Sequence, residues 1–95
     1  MYQAVLRAEA SRLETALDFL KHAAREGAKI EGAVMIYDPV PAGMPRRAGL
    51  ERAQLTVQSR SRPALHAFLG TWHVGLDRAA GRRVRWALDV DPLEL

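Results

Sequence analysis

Apolar and polar residues alternate in three stretches of the chain, the pattern of strands that bury one face and expose the other. These stretches are residues 2–10, 50–59 and 84–90. A fourth stretch, residues 29–37, is also rich in strand-forming residues. It is followed by residues 38–49, DPVPAGMPRRAG, whose three prolines and two glycines predict a loop rather than a strand.

The segment after the first strand repeats its apolar residues at helical spacing. Its stripe consists of Leu13, Ala16, Leu17, Leu20 and Ala24. Ser11 and Glu14 match a capping box, in which the serine accepts a bond from the helix backbone and the glutamate reaches back. With Gly27 as its C-terminal stop, this helix is predicted over about residues 12–26.

A second helix is predicted between residues 61 and 81. Its apolar stripe consists of Leu65, Phe68, Leu69, Trp72, Leu76 and Ala80. Ser61 and Pro63 are typical of a helix start, and Gly81 is typical of a helix end. Gly70 and Gly75 lie inside this segment and weaken it by about 1 kcal/mol each relative to alanine.

The order β-α-β-β-α-β predicts an α+β fold, a ferredoxin-like plait with a four-stranded antiparallel sheet and two helices on one face. The apolar halves of the strands then face the helices, and Trp72 and Trp86 are interpreted as core residues. The other sheet face is predicted to be polar, net positive and without aromatic side chains. Its residues are Gln3, Arg7, Arg52, Gln54, Thr56, Gln58, Arg83 and Arg85.

Positive charge is concentrated in the middle of the chain. The 95 residues carry a net charge of +3, whereas residues 39–88 hold nine arginines and two carboxylates, a net +7. Arginine suits bidentate contacts with phosphate or carboxylate groups. The length predicts one domain, residues 1–95. The lack of cysteine excludes disulfides and fits a reducing cytoplasm. No stretch is long and apolar enough to span a membrane, so no membrane partner is expected.

Signals for catalysis and for metal binding are weak. His22, His66 and His73 lack the spacing of a metal site. Asp89 and Asp91 share a strand face, and we interpret them as residues that end the strand and pair with arginines. No catalytic residue and no metal ligand is therefore predicted.

Three segments carry a resemblance to a known family. The ending VRWALDVDPLEL (84–95), the segment DPVPAGMPRRAGLERAQLTVQSRSR (38–62) and the opening YQAVLRAEA resemble, in order, the C-terminal domain of the PriA (primosomal protein N′) family of replication-restart helicases. Asp38 departs from the family pattern, where glycine is usual, and so does His66, where relatives carry glutamine.

The resemblance implies that the chain is the C-terminal domain of a larger 3′-to-5′ DNA helicase of the bacterial cytoplasm. ATP, Mg and Zn would then belong to other parts of that parent, and this chain would hold no cofactor. The implied partners are branched and single-stranded DNA, the acidic tail of the single-stranded DNA-binding protein (SSB), and the helicase lobes of the parent.

The residues suggest where those partners would bind. Arginine and amide side chains contact phosphates without reading sequence. The DNA-binding set predicted on this basis is Arg46, Arg47, Arg52, Gln54, Arg82, Arg83 and Arg85. Arg62, at the start of the second helix, and His66, one turn further on, are predicted to receive the carboxylate of the SSB tail.

Two alternatives from other classes stay open. One is a free-standing ferredoxin-like regulatory domain that dimerises through its open sheet face. The other is a small acylphosphatase-like hydrolase, although the chain has no asparagine, which that activity uses beside its arginine.

Overall fold

The strands and helices follow the predicted order, with the second strand and the second helix each divided in two. The computed structural model describes residues 1–42 and 49–90. Its elements are β1 (Tyr2–Ala10), α1 (Leu13–Ala28), β2 (Met35–Ile36), β3 (Val40–Pro41), β4 (Glu51–Ser59), α2 (Arg62–Trp72), α3 (Leu76–Ala80) and β5 (Arg85–Val90). One turn of 3₁₀-helix, His73–Gly75, joins α2 to α3.

The sheet is antiparallel throughout and has the strand order β2-β4-β1-β5, with β3 also paired to β4. Leu6 of β1 lies opposite Leu55 of β4 and Leu88 of β5. Residues directly opposite one another share a sheet face, so these three leucines point to the same side, where the helices cover them. This arrangement confirms the ferredoxin-like plait.

The edge of the sheet beside β4 is an interrupted strand. Ile36 pairs with Val57 and Val40 pairs with Gln54. Between these two pairs the edge strand has three residues, 37–39, whereas β4 has only two, 55 and 56. This extra residue is a β-bulge, and it falls at Asp38–Pro39, where proline cannot donate to the ladder. The prediction that residues 38–49 contain no strand was wrong, because an edge strand tolerates Pro41.

The predicted capping box at the start of α1 does not form. Arg12, not Ser11, occupies the N-cap position, and no side chain caps the helix. The backbone carbonyl of Arg12 accepts bonds from Thr15 and Ala16. Glu14 pairs with the Arg12 guanidinium at 3.1 Å instead of turning back to Ser11.

The predicted start and end of the second helix are confirmed, but a 3₁₀ turn at His73–Gly75 divides it into α2 and α3, which the single predicted helix did not include. The Ser61 hydroxyl accepts a bond from the Ala64 N–H at 3.1 Å, and Pro63 lies in the first turn. Gly81 follows α3 with φ of 58°, a conformation that side chains disfavour. No helix among the described residues is both long and apolar enough to span a bilayer.

Gly27 lies inside α1, where α1 meets α2, and does not end the helix as predicted. A Cβ atom at this position would come within 3.0 Å of Trp72 Nε1 and Ile36 Cδ1, and within 3.2 Å of Phe68 Cζ. The indole of Trp72 is held in place, because its Nε1 donates to the Ala23 carbonyl at 2.9 Å. Glycine is therefore required by the close approach of the two helices.

We expect Gly27→Ala and Gly70→Ala to change stability in opposite directions. Both residues are helical, but Gly70 has open space around its Cα. Gly70→Ala should stabilise the chain by about 0.5–1 kcal/mol through helix propensity. Gly27→Ala should destabilise it by about 1–2 kcal/mol, because overpacking against the fixed indole outweighs that gain. Urea unfolding of the two variants measures both changes, and stabilisation by Gly27→Ala would contradict the packing argument.

Candidate nucleic-acid interface

The sheet face opposite the helices carries seven of the eight predicted polar residues. The register places Gln3, Arg7, Arg52, Gln54, Thr56, Gln58 and Arg85 on this open face. Arg83 lies outside it, in the turn before β5. Met35, Tyr37 and Val40 of the edge strand add to the same face.

Two of the open-face arginines already have carboxylate partners. Arg7 pairs with Asp89 of β5. Arg52 Nε donates to Glu9 Oε2 at 2.7 Å, and this pair is about two-thirds buried. The interpretation of Asp89 as a partner for an arginine is therefore confirmed, whereas Asp91 lies outside the described residues. Each pair neutralises its arginine, so the open face is less basic than its composition indicates.

Arginines without such partners gather at one end of the sheet. Arg82, Arg83 and Arg85 are exposed, and no hydrogen bond or ion pair joins their guanidinium groups to another described residue. They line a cleft of about 570 Å³ together with Ser11, Arg12, Thr15 and Glu9, the carboxylate that holds Arg52. We call this the arginine cleft. The turn between α3 and β5 and the turn between β1 and α1 bring its two sides together.

The remaining predicted DNA-binding residues are placed differently. Gln54 and Arg52 lie beside the arginine cleft, in a smaller cavity of about 410 Å³ on the open face that Arg85 also lines. Gln54 is half-buried, and the Glu9 carboxylate holds Arg52. Arg46 and Arg47 lie outside the described residues.

The open face contains an aromatic ring, so the prediction that it has none was wrong. Tyr37 is 45% exposed, and its hydroxyl donates to Gln58 Oε1 at 2.8 Å. Gln58 Nε2 in turn donates to Gln3 Oε1 at 3.0 Å. The alternation within VMIY contained the signal, because Val34 and Ile36 pack on the core and therefore direct Met35 and Tyr37 to the other side.

Arg62 and His66 lie at the opposite end of the molecule from the arginine cleft. Both are exposed on the first two turns of α2, four residues apart and hence on one helix face. The length of β4 separates this end from the cleft, about 26 Å at the usual rise of a strand. The two predicted binding regions are therefore distinct surfaces.

The two tryptophans lie on the helix side of the sheet, as predicted. Trp72 is 3% exposed, and Trp86 packs against the core while its Nε1 donates to Asp77 Oδ1 at 2.9 Å. The His73 ring contacts its own helix, with Nδ1 3.1 Å from the Leu69 carbonyl oxygen. Among residues 1–42 and 49–90, no cluster of three or more histidine, aspartate or glutamate side chains could hold a metal ion.

Comparison with known families identifies the chain. The family model described as the primosomal protein N C-terminal domain matches residues 1–93. The chain belongs to the primosomal protein N C-terminal domain family. It is thus a domain of the primosome, the assembly that starts DNA replication anew, and the resemblance carried by its three sequence segments is confirmed.

Solved structures share the fold of this primosomal domain. A de novo designed protein, Foldit4, is 10% identical with a TM-score of 0.63 over 95% of this chain and 97% of its own. An aminobenzoyl-glutamate utilization protein from Klebsiella pneumoniae is 17% identical with a TM-score of 0.55, and the match covers 95% of this chain and 28% of that one. A hydantoinase/carbamoylase family amidase from Burkholderia ambifaria is 15% identical with a TM-score of 0.50, covering 95% and 27%. At these identities the likeness concerns the fold alone.

The burial of the Glu9–Arg52 pair predicts a measurable coupling between the two residues. A double-mutant cycle with Glu9→Gln and Arg52→Gln should give a coupling of about 0.5–1 kcal/mol in unfolding free energy. The same cycle at Arg12 and Glu14, whose side chains are 74% and 68% exposed, should give less than about 0.3 kcal/mol. Equal couplings in the two cycles would show that burial does not strengthen the sheet pair.

Proposed function

We propose that this chain is a non-catalytic DNA-binding domain of a replication-restart helicase and contacts branched and single-stranded DNA. The observation that carries the proposal is the arginine cleft, in a chain of the primosomal family. A guanidinium without a carboxylate partner is available to a phosphate, with which it forms two parallel bonds. Such contacts position DNA and do not read its sequence.

The predicted DNA-binding residues differ in what they contribute. Arg82, Arg83 and Arg85 lose no internal ion pair when they bind a phosphate. Arg52 contributes less, because a phosphate would compete with the Glu9 carboxylate at 2.7 Å. Gln54 adds a neutral amide beside them. Arg46 and Arg47 extend the basic set in the segment that joins β3 to β4.

The salt dependence of DNA binding tests the proposal. Fluorescence anisotropy of the chain with single-stranded, duplex and forked DNA should show weaker binding as salt increases. Three to five phosphate contacts on a single strand give a slope of log affinity against log salt of about −2 to −3.5. Charge reversal of Arg83 and Arg85 to Glu should weaken binding and flatten the slope by about 1.4 or more, because two contacts are lost.

The matched control for this experiment reverses charge elsewhere. Arg25 is exposed on α1, away from the open face, and Arg78 is exposed on α3. The double variant Arg25→Glu with Arg78→Glu changes the net charge by the same amount as the cleft variant. This control variant should keep most of the slope of log affinity against log salt. Equal losses in the two variants would mean that net charge, and not the cleft, determines binding, and no binding at low salt would refute the proposal.

We also propose that Arg62 and His66 take part in docking the SSB tail. The two side chains are exposed on one face of α2, and no hydrogen bond joins the Arg62 guanidinium to another described residue. The first turn of α2 lies beneath them, and a helix N-terminus favours a negatively charged group. An acidic peptide with a free C-terminal carboxylate fits this chemistry.

Binding of an acidic tail peptide should depend on Arg62 and on its charge. Arg62→Glu should weaken the complex at least 10-fold, whereas His66→Ala should weaken it about 2- to 5-fold, since a charged contact is worth about 1.5–3 kcal/mol and a neutral one less. Calorimetry with the peptide acid and its C-terminal amide measures both effects. The Arg83→Glu, Arg85→Glu variant serves as the control and should bind the peptide normally. An unchanged affinity in Arg62→Glu would remove this residue from the docking site.

The rest of the helicase completes the proposal. ATP and Mg would be bound by the helicase lobes and Zn by a separate region of the parent, so that this chain holds no cofactor of its own. Contacts with those lobes would fix the domain relative to the fork. The protein would then act in the bacterial cytoplasm, where replication takes place.

A further inference from the structure

Tyr37 lies on the open face but has no role in the proposed phosphate contacts, which are made by arginine and amide side chains. The side chain is 45% exposed, on the face away from the helices. Its own cross-strand neighbour is Thr56, whose carbonyl accepts the Tyr37 N–H at 2.9 Å. The hydroxyl nevertheless reaches Gln58, two residues along β4. Such a diagonal contact spans about 7–8 Å, so the ring lies along the sheet and does not stand upright from it.

A chain of hydrogen bonds fixes the ring in this position. Gln58 accepts from the Tyr37 hydroxyl at 2.8 Å and donates to Gln3 at 3.0 Å, which connects the edge strand, β4 and β1. A ring that is already fixed loses little conformational entropy when a flat partner stacks on it. The arrangement is therefore preorganised for stacking.

The surroundings of Tyr37 suit a nucleobase better than an apolar partner. Met35 and Val40 are 45% and 48% exposed and extend the apolar surface on either side of the ring. On the neighbouring strand, Gln54 lies opposite Val40 and Thr56 opposite Tyr37, and neither side chain is bonded to another described residue. A base needs an apolar surface for its face and polar groups for its edge, and both are present here.

The arginine cleft supplies positive charge for the phosphates of a strand whose base lies on Tyr37. Arg85 is separated from Tyr37 by four residues along the strands, about 14 Å, and by three strand spacings across the sheet, about another 14 Å. The diagonal of about 20 Å is the length of about six stacked nucleotides of a DNA strand. A single strand can therefore place a base on the ring while its phosphates reach Arg85, Arg83 and Arg82.

We propose that Tyr37 is a stacking platform for an unpaired base of single-stranded DNA. The inference rests on the proposed DNA binding and adds to it a contact with the base itself. Phosphate contacts bind duplex and single strand alike, whereas stacking requires a base that has left its pair. Tyr37 would thus favour unpaired strands over duplex.

Abasic DNA separates stacking from phosphate binding, because it keeps every phosphate and removes the bases. The intact chain should bind an oligothymidylate about 5- to 100-fold more tightly than the abasic oligomer of the same length. Tyr37→Ala should lose that preference and bind both oligomers alike, with the salt slope unchanged. Tyr37→Phe keeps the ring and should remain within about 3-fold of the intact chain.

Val74→Ala is the matched control, because Val74 is 72% exposed in the 3₁₀ turn on the helix side. It should keep the full preference for bases, and thermal unfolding of each variant confirms that the fold is retained. Equal binding of both oligomers by the intact chain would overturn the stacking proposal while leaving phosphate binding intact. Failure to bind either oligomer would overturn both proposals. If light scattering instead shows that the intact chain is a dimer and that Tyr37→Ala is a monomer, the apolar surface around Tyr37 binds a second copy of the chain and not a base.

Discussion

The close contact of α1 with α2 at Gly27 is the constraint on which the rest of the structure depends. A Cβ at this position would lie 3.0 Å from the Trp72 indole nitrogen, which is already bonded to the Ala23 carbonyl. The two helices can therefore share one face of a sheet that is only four strands wide at its centre. Because the helices cover that single face, the other face stays open for binding.

Carboxylates decide which arginines of this domain can bind a ligand. Residues 39–88 carry a net charge of +7, yet Arg52 is held by Glu9 of β1. Arg7 is likewise held by Asp89 of β5. Glu9 comes from outside the basic stretch and reaches Arg52 through strand pairing, and Arg7 and Asp89 are likewise brought together by the pairing of β1 with β5. On the open face, the positive charge that remains free is thereby concentrated at the arginine cleft, where the turn before β5 presents Arg82 and Arg83 and the start of β5 presents Arg85.

Most of the fold could be predicted from the sequence, because strand alternation and helical spacing repeat over many residues. The helix start at Ser61 and the core positions of Trp72 and Trp86 followed from such patterns. Single-residue interpretations were less secure. Ser11 met the spacing of a capping box, but the chain turns one residue later, and Gly27 had the residue type of a helix end although tertiary packing requires it. Local chemistry does not reveal contacts between distant residues.

The site could be predicted only in part, for the same reason. The sequence indicates which residues point away from the core, but the pairing of Glu9 with Arg52 depends on register. The position of Tyr37 depends on a short edge strand that a bulge interrupts after two residues. That bulge shifts the register by one residue, so Met35, Tyr37 and Val40 reach the same face although their spacing is uneven. Without it, a strict two-residue alternation would turn Val40 toward the helices, and the apolar surface beside the ring would be lost.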